Sequence, residues 1–69
     1  MQILKINGKT RQFPQGLPRT LSELLGQLGI EAATVVAELD GRIVARESFA
    51  ETALSEGQKI ELVRFVPGG

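Results

Sequence analysis

Two dipeptides do most to limit the folds open to this chain: Asn7-Gly8 and Asp40-Gly41. In a two-residue hairpin turn both central positions take positive φ, which Asn, Asp and Gly accept at little steric cost. Each pair lies between segments of strand character, so each predicts a β-hairpin. Residues 1–6, with Ile3, Leu4 and Ile6, run into the first turn and return as Lys9–Phe13. In that register Leu4, Ile6 and Phe13 share the core face, and Ile3 points the other way. Pro14, Gly16 and Pro18 then end the hairpin. The second hairpin pairs Val35–Leu39, with Val35, Ala37 and Leu39 on one face, with the short strand Arg42–Val44.

Between the hairpins lies one well-marked helix. Thr20-Leu21-Ser22-Glu23 is a capping box, with Thr20 accepting from the amide of Glu23 and Glu23 reaching back to the amide of Thr20. Leu21, Leu24, Leu25 and Leu28 form a single apolar stripe at helical spacing. Gly29 stands where a left-handed residue ends a helix, and Ile30 where such an ending makes its contact with Leu25. Gly26 costs this helix about 1 kcal/mol relative to Ala. Past the second hairpin, Phe49, Ala50 and Leu54 are expected in the core, Gly57 marks a turn, and Lys59–Val66 is the last strand. Two hairpins around one helix imply an α+β fold, a mixed sheet with the helix on one face. The expected core is Leu4, Ile6, Phe13, Leu21, Leu24, Leu25, Leu28, Leu39, Ile60 and Leu62.

The chain has 69 residues with neither Cys nor His. A disulfide frame, a Cys/His zinc site, Cys nucleophiles and His-based triads are all excluded. Ser22, Ser48 and Ser55 therefore lack a histidine to activate them. Eight basic residues balance eight acidic ones, and Phe13, Phe49 and Phe65 are the only aromatics. Neither a phosphate-binding basic patch nor a base-stacking platform is expected, so no nucleic acid partner is. No apolar run reaches membrane-span length and no signal-peptide core follows Met1, so a cytoplasmic protein is expected. Gly8-Lys9-Thr10 imitates the end of a phosphate-binding loop, but Ile3 stands where the loop's first Gly belongs, and the context is a hairpin rather than a strand-to-helix turn. Glu47 and Glu51 are four apart and suit a shared helical face, read here as solvated surface.

The last strand and the tail beyond it carry more. Ile60 and Leu62 alternate inward, which sends Val63 and Phe65 outward. If first and last strands are neighbours, Ile3, Val63 and Phe65 form an apolar patch on the open face of the sheet, a partner site. The alternative is a β-bulge near Arg64 that turns Phe65 inward. Val66-Pro67-Gly68-Gly69 can extend about 13 Å beyond the sheet. Pro67 limits collapse onto the body, and Gly68 and Gly69 offer backbone without a Cβ. Such a tail suits a narrow channel in another protein, where it presents an α-carboxylate.

The order of elements and the Gly-Gly ending resemble ubiquitin and the prokaryotic sulfur carriers. The segment from Val36 through Asp40-Gly41-Arg42-Ile43-Val44-Ala45-Arg46, Phe49-Ala50-Glu51 and Glu56-Gly57 to Ile60–Val66 resembles the thiamine-biosynthesis sulfur carrier family, ThiS. Ile43-Val44-x-Arg46-x-x-Phe49 separates that branch from the longer molybdopterin synthase small subunits. Ala45 stands at a frequent Pro, and Pro67 at a frequent third Gly. The resemblance implies a ubiquitin-like β-grasp over residues 1–65, with about five strands and the last parallel to the first, and a tail over 66–69. It implies no catalysis and no cofactor held by this chain. It implies that a ubiquitin-activating-like adenylyltransferase uses Mg-ATP to adenylate Gly69. It further implies that a sulfur donor such as a cysteine desulfurase supplies a persulfide, and that the thiocarboxylate passes its sulfur to thiazole synthase. Ile3, Val63 and Phe65 are then the docking residues for both enzymes, and the free carrier is expected to be monomeric. Three other readings share the scaffold: a carrier for molybdopterin or tRNA thiolation, a covalent protein modifier, and an RNA-binding β-grasp module that the zero net charge disfavours.

Overall fold

The computed structural model describes residues 2–65; the expected tail, Val66 to Gly69, lies outside them. Both turn dipeptides make hairpins. Asn7 (φ 52°) and Gly8 (φ 80°) join β1 (Gln2–Ile6) to β2 (Lys9–Phe13), and Asp40 (φ 49°) and Gly41 (φ 86°) join β3 (Val35–Leu39) to β4 (Arg42–Val44). β5 (Lys59–Arg64) enters between the hairpins, giving one five-stranded sheet of order β2-β1-β5-β3-β4. β5 is parallel to β1 and antiparallel to β3, so the sheet is mixed, as expected.

Helix α1 (Leu21–Leu28) covers one face of the sheet. Thr20 Oγ1 accepts from the Glu23 amide at 3.2 Å. The return bond differs from expectation by one residue: Glu23 Oε1 accepts from Arg19 N at 3.2 Å rather than from Thr20. Gly29 ends the helix in the left-handed region (φ 71°), and Ile30 N donates to Leu25 O at 2.9 Å. Leu4, Phe13, Leu21, Leu24, Leu25, Leu39, Ile60 and Leu62 are buried as expected, together with Val35, Ala37 and Phe49. Ile6 and Leu28 are only partly buried, because both sit at the margin of the core.

Two short 3₁₀ helices, over Ala32–Thr34 and Arg46–Glu51, lie in stretches the sequence left unassigned. The second is pinned by Phe49, which is 2% exposed. Ala50, expected in the core, is exposed. A 3₁₀ helix turns once per three residues, so Ala50 beside Phe49 faces away from it, and Glu47 and Glu51 do not line up as they would on an α-helix. After this segment, Leu21 N donates to Thr52 O and Thr20 bridges Ala53, which fastens the start of α1. No described helix is long and apolar enough to cross a membrane.

Candidate functional site

The open face of the sheet changes character from one end of β5 to the other. At its start Lys59 lies level with Lys5 of β1. Next comes Glu61 opposite Glu38, and then Val63 opposite Val36. Phe65 follows on the same face, and Ile43 stands on β4 opposite Glu38, diagonal to Val36. Val36, Ile43, Val63 and Phe65 are the large apolar residues left exposed among the described residues, at 41%, 72%, 59% and 46%. They gather at the end of β5 from which residue 66 continues. Val36, Ile43 and Phe65 also border one shallow depression with Ala32, Ala33 and Ala45.

Val63 and Phe65 point outward, and no bulge intervenes. The ladder to β3 runs without interruption through Val35↔Arg64, and Phe65 N still donates to Thr34 O at 2.9 Å. Ile3 is elsewhere. β1 and β5 are indeed neighbours, but their parallel register sets Ile3 beside Gly57, whose N–H donates to the Ile3 carbonyl at 2.9 Å. Six residue steps separate Gly57 from Val63, about 20 Å at the rise of a β-strand. Ile3 is also half-buried, its own amide donating to Glu56 Oε1. The three residues expected to share a patch therefore divide between opposite ends of the sheet. Val36 and Ile43 take the place of Ile3. The alternation along Val35–Leu39 already turned Val36 outward; what the sequence lacked was the strand order that brings β3 and β4 beside the end of β5.

Among the described residues, no group of three or more acidic residues is placed to hold a metal ion. Nor, among these described residues, is any side-chain polar atom buried without a partner. The organised feature is thus a surface: an apolar cluster at the root of residues 66–69, rimmed by Glu38 and Glu61.

The ThiS family model matches residues 4–69. A sulfur carrier protein ThiS from Bacillus subtilis is 31% identical over 67 residues, covering 97% of this chain and all of that one. A thiazole synthase from Paramagnetospirillum magneticum is 39% identical over 66 residues, covering 96% of this chain, which spans only 20% of that protein. Among solved structures, a crystal structure of the thiamine biosynthesis protein ThiS from Geobacter metallireducens superposes with TM-score 0.83 at 32% identity, over 97% of this chain and 99% of that one. A solution structure of a thiamine biosynthesis protein from the same organism gives TM-score 0.78 at 33% identity, over all of this chain and 88% of that one. By sequence and by fold, this chain belongs to the ThiS family, the sulfur carrier proteins of thiamine biosynthesis, which carry sulfur and do not catalyse.

Proposed function

We propose that sulfur travels on the carboxylate of Gly69. The observation that carries this reading is the family match, which extends through Gly68-Gly69 to residue 69. A carboxylate ionised at neutral pH is a poor electrophile and has to be activated. In an adenylyltransferase resembling the ubiquitin-activating enzymes, a Gly69 oxygen attacks the α-phosphorus of Mg-ATP and expels pyrophosphate. A persulfide sulfur from a donor of the cysteine desulfurase kind then attacks the acyl carbon, and AMP leaves. A thiol cleaves the resulting acyl disulfide, which leaves the thiocarboxylate on Gly69. Without a Cβ, Gly68 and Gly69 leave that carbon open to each attack, and Pro67 and Val66 span the gap between the body and the partner's active site. The chain itself holds no cofactor in this scheme. ATP and reducing thiols coexist in the cytoplasm, which is where this reading places the protein.

The sulfur acceptor in this scheme is thiazole synthase. The Paramagnetospirillum thiazole synthase contains a region resembling almost the whole of this chain, which supports pairing the two activities. The docking surface is Val63 and Phe65 together with Val36 and Ile43. Any protein that receives Gly69 must lie against the sheet beside the root of the tail, and these side chains are the apolar surface there. Ile3 is left out, being at the far end of β5.

Intact-mass analysis tests the chemistry. With the activating enzyme and Mg-ATP, Gly69 should carry AMP; with a sulfur donor added, one oxygen should be exchanged for sulfur. A chain truncated before Gly68 that is modified as well as the full chain would overturn the scheme.

A further inference from the structure

We propose that Asn7 is a positioning residue for the tail, its side-chain amide standing in for a length of strand that β1 does not have. β1 ends at Ile6 and turns back, whereas β5 continues past that level through Leu62, Val63 and Arg64. Up to the turn the two strands are joined by main chain: Lys5 N donates to Gln58 O at 3.0 Å and Asn7 N to Ile60 O at 2.9 Å. One step further, Leu62 turns both its N–H and its C=O toward the same side, where no backbone remains to meet them. Asn7 supplies the missing peptide group. Its Oδ1 accepts from Leu62 N at 2.7 Å, and its Nδ2 donates to Leu62 O at 3.2 Å. A side-chain amide carries the donor and acceptor of a peptide bond, and among common turn residues only Asn offers both while accepting the positive φ of this position (52°).

The place of this clamp gives it its consequence. Beyond Ile60, the tail-bearing half of β5 is held on the other flank by β3, through Ala37↔Leu62, Val36↔Val63 and Val35↔Arg64. On the β1 flank, the Asn7 amide is the partner that the described hydrogen bonds provide. Release of Leu62 would free the strand that carries Val63 and Phe65 to twist and fray from its end. Residue 66 would then leave the body over a wider range of directions. Delivering Gly69 into a channel would require ordering that range on binding, which weakens association without altering the reacting atoms. The proposal rests on the carrier reading above, since it assigns Asn7 a part in presenting that tail.

The test uses the full chain with Asn7→Gly, which keeps the turn but removes both bonds, and Asn7→Asp, which keeps the shape and the acceptor but removes the donor. Asp40→Gly is the control. It makes a matching change in the other hairpin, deleting the bond from Lys59 N to Asp40 Oδ1 (3.0 Å) at the opposite end of β5. Amide hydrogen exchange at Leu62 should accelerate about tenfold in Asn7→Gly while amides of α1 keep their rates. In ATP–pyrophosphate exchange with the activating enzyme, the KM for the carrier should rise about fivefold in both Asn7 variants with kcat unchanged. Asp40→Gly should leave that KM as it is. An unchanged Leu62 rate in Asn7→Gly overturns the clamp. Faster exchange with an unchanged KM, or an equal rise in Asp40→Gly, reduces Asn7 to an ordinary stabilising residue. If wild type supports no exchange of pyrophosphate at all, the carrier chemistry fails instead, and the Leu62 rates still decide the clamp.

Discussion

Leu25 lies on the stripe of α1 that faces the sheet, 2% exposed, and its carbonyl also receives the Ile30 amide that closes the helix. Truncation to Ala removes buried methyl groups from a core of few side chains, at a cost of about 2–5 kcal/mol. A domain of this size has only about 5–15 kcal/mol in all, so Leu25→Ala should lower the melting temperature sharply, as a circular-dichroism melt would record. A melt equal to wild type would remove Leu25 from the core. That side chain was legible in the sequence because helical spacing is a local property. Asn7 was only half legible. The dipeptide Asn7-Gly8 announces a turn, but its second role depends on β5, more than fifty residues away along the chain. Asp40 has a similar double use, holding both the amide and the carbonyl of Lys59.

Gly26 tests how far α1 is set by its own sequence. It sits in the helix interior, exposed, and a Cβ built there would meet nothing within 4 Å. Gly26→Ala should therefore stabilise the protein by about 0.5–1 kcal/mol, through lower entropy of the unfolded chain and better helix propensity. For a domain of this length that is an upward shift of several degrees in melting temperature, on the order of 2–8 °C. A drop would mean that Gly26 has a packing role not visible in its surroundings. The hairpins and α1 could be read from sequence because each is announced by neighbouring residues: a turn dipeptide, a cap, a stripe. The 3₁₀ helix Arg46–Glu51 could not, since Arg-Glu-Ser-Phe-Ala-Glu has one large apolar residue and no period to follow. Phe49 fixes that segment by filling a tertiary site, and so its partners decide the local structure. The same reason sends Ala50 outward, where composition alone placed it in the core.

At the scale of the whole molecule, the strand order determines which exposed side chains act together. Because β5 enters between the hairpins, parallel to β1, its end rises beside β3 and β4 while Ile3 stays beside its start. That arrangement is non-local, and alternation within strands gave the facing of Ile3 but not its neighbours. It makes a prediction in which two residues of the exposed cluster behave differently from Ile3. Phe65→Ala should weaken binding to the activating enzyme by on the order of 2 kcal/mol, about thirtyfold, if Phe65 is a hot spot of the interface. The melting temperature should move little, because the side chain is 46% exposed in the free protein and lies off the helix-covered face. Ile43→Ala, at 72% exposure, should likewise weaken binding with little effect on melting, by a smaller factor for its smaller contact. Ile3→Ala should do the reverse, lowering stability through its half-buried side chain while leaving affinity unchanged. With eight charges of each sign and an apolar centre to the contact, affinity should also change little between low and physiological salt. Calorimetric titration of wild type and the three variants, with wild type repeated at low and physiological salt and with parallel melts, measures every one of these outcomes. Loss of affinity in Ile3→Ala comparable to Phe65→Ala would mean that the partner spans the whole length of β5, not the end where the tail begins.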